Sequence, residues 1–356
     1  MKHATIVPLI GGATIGQSRA LGRSPEWVAS YSPFKDNDQH LLNYLNNHHE
    51  LDVPFYTLDS NEQPTEWVDI INTVCPCAGL SMLNNQNDAN RASNDWMYAT
   101  AEYVLSDLKP TWFWGENAPN LASPKGEAVR DKLQQIAYKH SYQFYVFKCN
   151  AVDHGLGQRR PRAIYLFTNE KAPEELITRP RVDVRDVIRS ASSHNEMFED
   201  HTEPFAHSHY ATPEDDGFLM YLQVNGIAHT GRRLSIQNCS RNQRDDWDDI
   251  IEWLDLNGYE ADRNFAESVR DKILAGKNIF RRGTMMVSSG EIQALVGSQN
   301  YVEHPDENRY LNYRELLTLM GMPTDFQLVN PKKNVNHISQ NVPVNVAEDF
   351  VRSIVS

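Results

Sequence analysis

Hydrophobic positions fall into short runs in the first half of this chain and into scattered clusters in the second. Ala4 to Ile10 is an apolar run that predicts a strand, closed by Gly11-Gly12 and followed by a helical stretch from Ile15-Gly16 to about Leu21. A strand over Glu26 to Tyr31, a helix through Leu41 to Leu45, a short strand at Phe55-Tyr56-Thr57 and a buried strand over Trp67 to Thr73 continue the series. Trp96 to Leu108 reads as a helix and Thr111 to Trp114 as a strand. Pro124 to His140 is amphipathic, with Val129, Leu133 and Ile136 on one face and Ser123 placed as its cap. Gln143 to Cys149 and Ala163 to Thr168 are the next strands. Strands that alternate with helices in this way predict an α/β fold with a mostly parallel sheet and helices on both faces.

Two stretches break the alternation. Met82 to Asp95 is almost entirely small or polar, so it can bury little surface and is expected to be exposed and mobile. Beyond about Pro180 the alternation is lost, and His, Ser, Asp and Asn become frequent between Ser190 and Asp216. Short apolar segments at Phe218–Val224, Ile250–Leu254 and Val269–Leu274 follow, and no internal repeat is visible. The pattern predicts a first domain over 1–178, a second domain over 179–302 and a C-terminal segment, 303–356, that includes helices at Arg314–Met320 and Pro343–Ile354.

With 356 residues and 40% hydrophobic content, the chain can bury one large core and a smaller one. No apolar run approaches the roughly 20 residues of a membrane helix, and the N-terminus lacks a signal-peptide layout. Four cysteines, Cys75, Cys77, Cys149 and Cys239, are too few and too scattered for a disulfide scaffold or a zinc site, so no metal and a reducing cytosol are expected. The net charge of −13 argues against nucleic acid at first sight. Local basic clusters soften that argument: Arg159-Arg160 with Arg162, Arg232-Arg233, Arg281-Arg282 and Lys332-Lys333. Taken singly, each is an ordinary solvated face.

The candidate chemistry centres on Val74-Cys75-Pro76-Cys77-Ala78-Gly79-Leu80-Ser81, which follows the Trp67–Thr73 strand. A cysteine leaving an apolar strand, beside a proline and before a glycine, suits a nucleophile on a loop, although a buried structural thiol is the commoner fate. Apolar Trp112 to Trp114 lead directly into Glu116, at a strand end where open α/β sheets bind ligands. The N-terminal strand, glycine turn and helix have the layout that holds nucleotide-type cofactors, a weak signal alone.

Four motifs in order carry more weight than any one of them. Pro76-Cys77, Gly115-Glu116-Asn117-Ala118-Pro119, Gly157-Gln158-Arg159-Arg160-Pro161-Arg162 and Arg309 to Leu316 running on to Met320-Gly321-Met322-Pro323 span nearly the whole chain. Together they resemble the DNA cytosine-5 methyltransferase family, with its Pro-Cys loop, Glu-Asn motif, Gln-x-Arg-x-Arg motif and Arg-Glu helix. The resemblance implies a Rossmann-like methyltransferase fold with an inserted target-recognition domain, acting on double-stranded DNA without a membrane. It implies that Cys77 adds to carbon 6 of a flipped cytosine while Glu116 protonates ring nitrogen 3, with Asn117 orienting it or binding nearby backbone. It places Arg162 facing the base and Arg160 meeting phosphate, with Pro76, Gly79, Ser81 and Gln158 in the substrate-binding set. By the same resemblance the Met82–Asp95 loop closes over the base with Gly79 as hinge, and the last helix packs beside the N-terminal glycine turn. Base flipping costs a few kcal/mol in such enzymes.

The cofactor side departs from the family. Leu9 stands where an aromatic would stack on adenine, ahead of Gly11-Gly12, and Ser32-Pro33 replaces the acid that binds ribose hydroxyls, with Asp36 and Asp38 near. Asp59 and Asn345 complete the positions that the resemblance assigns to the cofactor. The last motif reads Ser339-Gln340, and Ala78 follows Cys77 where the family has Gln. S-adenosylmethionine is the family's donor. Two other readings stay open: the same activation with 5,10-methylenetetrahydrofolate, giving 5-hydroxymethylcytosine, and a non-catalytic DNA-binding subunit. The expected setting is the cytoplasm of a bacterium or virus-infected cell, in restriction-modification or phage genome protection.

Overall fold

The computed structural model describes residues 1–60, 62–75, 80, 94–191, 216–226, 246–276, 290–297, 302, 304–307 and 309–356. The chain divides into two compact units: Met1–Glu203 with Ser288–Ser298 and Tyr313–Ser356, and Pro204–Val287 with Gln299–Asn312.

The first unit is built on a sheet. Its early elements are β1 (His3–Ile6), α1 (Gly12–Leu21), β2 (Trp27–Ser30), α2 (Lys35–Leu42) with a π-helical continuation over Asn43–His48, β3 (Phe55–Thr57) and β4 (Ile70–Thr73). Then come α3 (Asp95–Tyr103), β5 (Trp112–Asn117), α4 (Glu127–Lys139), β6 (Gln143–Asn150), β7 (Gln158–Arg159) and β8 (Pro161–Thr168). The seven-stranded order is β3-β2-β1-β4-β5-β8-β6. The first five strands in that order are parallel, and β8 runs antiparallel to both β5 and β6. The order reverses at β1, where the chain steps to β2 on one side and β4 on the other, and ligands of open α/β sheets bind at the carboxyl ends beside such a switch.

Strands buried on both faces must be apolar at successive positions. Along β5, Phe113 joins a core with Ile71, Tyr165, Phe167 and residues of α3 and α4, while Trp114 joins a second core with Ile70, Ile164 and Leu166. That second core is closed by α1 and by the C-terminal helix, Val344–Val355, whose Phe350 ring lies 5.1 Å from Trp114. Burying Phe350 contributes roughly 1.5–3 kcal/mol, enough to anchor a terminal helix that would otherwise fray. A buried polar network also ties α1 to the sheet. Gln17 accepts from Trp114 Nε1 (2.7 Å) and lies 3.0 Å from His3 Nδ1, while His3 Nε2 faces the Arg23 carbonyl (2.9 Å). A carbonyl can only accept, so Nε2 carries the proton and Nδ1 accepts from Gln17. Burial pushes the His3 pKa down to about 4 and keeps the ring neutral.

Glycine at the start of α1 is dictated by contact. A Cβ on Gly12 would lie 2.0 Å from the Val342 carbonyl oxygen, and one on Gly16 would lie 2.4 Å from that of Val344. Gly12→Ala should therefore destabilise the fold by about 1–3 kcal/mol, the usual cost of overpacking. Urea unfolding checks this; a midpoint equal to that of the parent protein would show that the 341–344 backbone yields freely.

Two local expectations need correction. The Ser123 hydroxyl caps no helix: it donates to the Asn120 carbonyl (3.0 Å), and the residue preceding α4 is Gly126. A 3-10 turn at Pro124–Gly126 intervenes, so Ser123 stands too far upstream to reach the α-helical amides. Trp67 lies outside β4 and is 54% exposed, because pairing with β1 begins only near Ile70.

The rest of the first unit is α5 (Val184–Ala191), β9 (Ile292–Gln293), which pairs with β7, and helices at Tyr313–Thr318, Pro331–Gln340 and Val344–Val355. In the second unit, helices Gly217–Val224, Asp246–Leu256 and Glu260–Leu274 enclose Phe218, Leu222, Trp247, Ile250, Leu254 and Val269. Asp216 caps the first of these, its carboxylate accepting from the Phe218 and Leu219 amides at 3.0 and 3.1 Å. Among the described residues no helix is long and apolar enough to cross a membrane.

Candidate active site

Sheet register assembles the chemistry. β4 and β5 are adjacent and parallel, with Thr73 opposite Gly115. The chain therefore leaves β4 at Val74 beside the point where Glu116 emerges from β5. On the other flank, antiparallel β8 sets Tyr165 opposite Gly115 and Ile164 opposite Glu116, which brings Arg162 toward the same edge. Gly115 is small of necessity: a Cβ there would fall 2.3 Å from the Tyr165 hydroxyl and 2.8 Å from the Thr73 carbonyl.

Glu116 is 5% exposed, and Arg162 Nε lies 2.6 Å from its Oε1. The approach is a charge contact, since Oε1 accepts no well-aligned hydrogen bond. Burial raises the Glu116 pKa, and Arg162 and Arg160 oppose it; burial wins, leaving the carboxyl above its ordinary range. Asn117 binds backbone, accepting from the Ala118 amide at 2.8 Å, and its amide also reaches Met97 Sδ at 3.8 Å. It fixes the turn just past Glu116.

The other arginines of this stretch are engaged elsewhere. Arg160 is 1% exposed and donates to the carbonyls of Leu295 (3.2 Å), Ser339 and Asn341 (3.1 Å). The phosphate contact expected of Arg160 is thus replaced by a structural one, because its guanidinium ties β8 to the 339–341 segment. Gln158, also buried, donates to the Leu319 carbonyl (3.3 Å) and accepts from the Leu295 amide (3.0 Å). Arg159 pairs with Glu291 at 2.8 Å. Arg314 donates to the Pro323 and Phe326 carbonyls, which assigns the Arg-Glu helix a scaffolding part.

Cys75 is buried, with Thr73 Oγ1 at 3.4 Å and Thr100 Oγ1 at 3.6 Å, and burial raises its thiol pKa. A desolvated thiol of this kind is inert. Pro76, Cys77, Gly79, Ser81, the 82–93 part of the polar loop, and the Arg232-Arg233 and Arg281-Arg282 pairs lie outside the described residues. Cys149, unremarked in the sequence, pairs with Arg162 across β6 and β8, and burial with Glu116 beside it pushes its thiol up to about 12. Only strand pairing exposes that neighbourhood.

Of the expected cofactor positions, Leu9, Gly11, Gly12, Ser32 and Asp59 follow β1, β2 and β3 at their carboxyl ends, whereas Asn345 is held to the loop after β6. Leu9 and Gly11 both have positive φ, 55° and 100°, and a Cβ on Gly11 would meet Leu41 at 2.6 Å. The Gly12 amide is bonded to Asn341 Oδ1 at 2.9 Å. Ser32 donates through its amide (2.8 Å) and hydroxyl (3.0 Å) to Asp59, and the amide bond is the main cause of that carboxylate's lowered pKa. Asn345 donates to the His154 carbonyl at 3.0 Å. Asp38 is the residue the motifs did not select. It is fully buried with neither oxygen hydrogen-bonded, although the Ser30 hydroxyl and Leu9 amide lie close enough to restrain it, and burial raises its pKa to about 8. The Ser30 and Thr14 hydroxyls are likewise buried without a well-aligned hydrogen bond.

With this geometry in hand, comparison with known proteins is informative. The model of the C-5 cytosine-specific DNA methylase family matches residues 10–356. A search of curated proteins finds no match. Among solved structures, the chain is similar to one described as a DNA modification methyltransferase encoded within an E. coli prophage, at 17% identity and TM-score 0.59 over 99% of this chain and 98% of the other. It is also similar to the Entamoeba histolytica methyltransferase EhMeth (12% identity, TM-score 0.57, 99% and 97% covered) and to Spodoptera frugiperda DNMT2 (13%, 0.52, 100% of both). At such identities the structures speak for the fold alone, whereas the family model spans nearly every residue. The chain belongs to the C-5 cytosine-specific DNA methylase family and is a DNA cytosine methyltransferase-like enzyme.

Proposed function

We propose that this enzyme methylates carbon 5 of cytosine in double-stranded DNA with S-adenosylmethionine as donor. The observation that carries the reading is the contact of buried Glu116 with half-buried Arg162, 2.6 Å apart, with Glu116 on β5 beside the strand that leads into Pro76-Cys77 and Arg162 on β8 at its other side. Cytosine carbon 5 is a poor nucleophile. Addition of the Cys77 thiolate to carbon 6 makes it enamine-like, and a proton from Glu116 to ring nitrogen 3 neutralises the charge that develops. Arg162 holds the Glu116 carboxyl in place and supplies positive charge beside the ring. S-adenosylmethionine, when bound, supplies an electrophilic methyl group. After transfer, a solvent base takes the carbon 5 proton, Cys77 leaves as the thiolate, and the nitrogen 3 proton returns to the Glu116 carboxylate, which restores the aromatic ring.

The residues at the sheet's carboxyl edge suit a polar cofactor. Asp59 is an exposed, ionised carboxylate steadied by Ser32, and the Ser30, Thr14 and Asp38 side chains, without well-aligned hydrogen bonds, leave hydrogen-bonding capacity unspent. Leu9 offers no aromatic face, and Asn341 already occupies the Gly12 amide, so the grip on the adenosine half should be weak by family standards. A folate donor has no support from the comparisons. In the same reading the target-recognition domain expected over 179–302 corresponds for the most part to the second unit, Pro204–Val287 with Gln299–Asn312.

Duplex DNA carrying 5-fluorocytosine tests the donor, because fluorine at carbon 5 blocks the final elimination. Incubation with S-adenosylmethionine should trap a Cys77–DNA adduct heavier by one methyl group, read by mass spectrometry. Trapping only with methylenetetrahydrofolate would overturn the donor assignment, and trapping with neither would overturn the reaction.

A further inference from the structure

A cluster of potential metal ligands lies apart from the chemistry above, and it joins two segments that are distant in sequence. His48 and His49 end the π-helical turn after α2, and Asp325 sits in the turn between the Tyr313–Thr318 and Pro331–Gln340 helices. His48 Nε2 is 3.3 Å and His49 Nε2 is 3.1 Å from the same oxygen, Asp325 Oδ2. Neighbours on an α-helix project about 100° apart, which would splay two adjacent imidazoles. Here His48 ends a π-helical turn and His49 is the residue just past it, the two rings are perpendicular with centroids 4.9 Å apart, and both nitrogens lie against one carboxylate.

The geometry points to a divalent transition-metal site formed by His48, His49 and Asp325. All three donor atoms lie within 4.8 Å of one another. Metal–ligand bonds of about 2.0–2.1 Å at a tetrahedral angle put neighbouring donors about 3.3 Å apart, which is the separation found between each imidazole nitrogen and the carboxylate. Two imidazoles with one carboxylate is a donor set suited to zinc, cobalt or nickel rather than magnesium or calcium. All three side chains are 29–39% exposed, so an ion can enter and water can complete the shell.

Outer contacts orient the set. The Tyr44 ring stacks on His48 (6.1 Å, 23°) and meets His49 edge-on (4.5 Å, 72°), and its hydroxyl lies by Asp325. Such contacts to ligating groups tune metal affinity. Arg19, close enough to act on Tyr44, opposes a dication, so the site should be weaker than a structural zinc finger. An ion there would clamp the end of α2 to the turn ahead of the Pro331–Gln340 helix. Without one, the imidazole N–H groups would simply hydrogen-bond the carboxylate.

Cobalt(II) distinguishes these cases, because its visible spectrum reports ligand type. Titrating the full-length protein with cobalt chloride should give a single site with d–d absorption and no thiolate charge-transfer band, the latter being the signature of Cys77. His49→Gln and Asp325→Asn should each lose at least about tenfold in affinity, and Tyr44→Phe about 10–100-fold, as for other outer-shell changes. Zinc chloride should raise the melting temperature of the parent protein and leave that of His49→Gln unmoved. Equal binding by the parent protein and His49→Gln, a thiolate band, or no binding at all would each overturn the site.

Discussion

Cys77→Ala is expected to yield no methylated DNA while keeping most of the affinity for duplex. The thiolate is the only side chain in the proposed reaction that becomes covalently joined to the base, and without its addition carbon 5 has no activated electrons to offer. Phosphate contacts that hold the duplex come from other side chains. Cys75→Ala should be far milder in rate, since Cys75 is buried between Thr73 and Thr100 and burial keeps its thiol protonated. Nucleoside mass spectrometry of treated DNA measures product, and a gel-shift titration measures binding. Full activity in Cys77→Ala would sink the mechanism at its first step.

Glu116→Gln comes next in size, with an expected loss of roughly 10²–10⁴ in single-turnover rate, the usual span for a positioned acid-base group. Glutamine keeps the shape and can still donate a hydrogen bond from its amide, but it cannot transfer a proton to ring nitrogen 3. The pH profile adds a second readout. Burial raises the Glu116 pKa above the ordinary carboxylate range despite Arg162, so its acid form persists to higher pH and is lost as pH rises through that value. Activity limited by this proton should therefore decline on the alkaline side in the parent enzyme, and Glu116→Gln should lack that component. A variant within about threefold of the parent would return Glu116 to a structural part, since acid-base catalysis is worth far more.

The fold and the strand that carries Glu116 were legible in the sequence because both depend on local pattern. Apolar runs of four to eight residues that alternate with helical periodicities are the pattern of strands buried on both faces of a parallel sheet. Trp112 to Trp114 leading into Glu116 announced a strand delivering a carboxylate to the sheet edge, and β5 ends in that way at Asn117. The tight meeting of α1 with the C-terminal helix was expected by resemblance, and the contacts of Gly12 and Gly16 supply its reason.

Tertiary structure decided what each polar side chain does once there. Arg160, between β7 and β8, and Arg162, in β8, are two positions apart, yet one is spent on the Leu295, Ser339 and Asn341 carbonyls and the other faces Glu116. Nothing local distinguishes them, because a guanidinium's partner depends on which distant backbone groups arrive unsatisfied and must be bonded when buried. The same holds for Asp38, raised to about 8 by burial, and for His48, His49 and Asp325, whose convergence depends on a π turn and a loop some 275 residues further on. Sequence pattern selects elements through short-range periodicity. Charge state and partnership follow from desolvation and long-range contact, which exist only once the chain has folded.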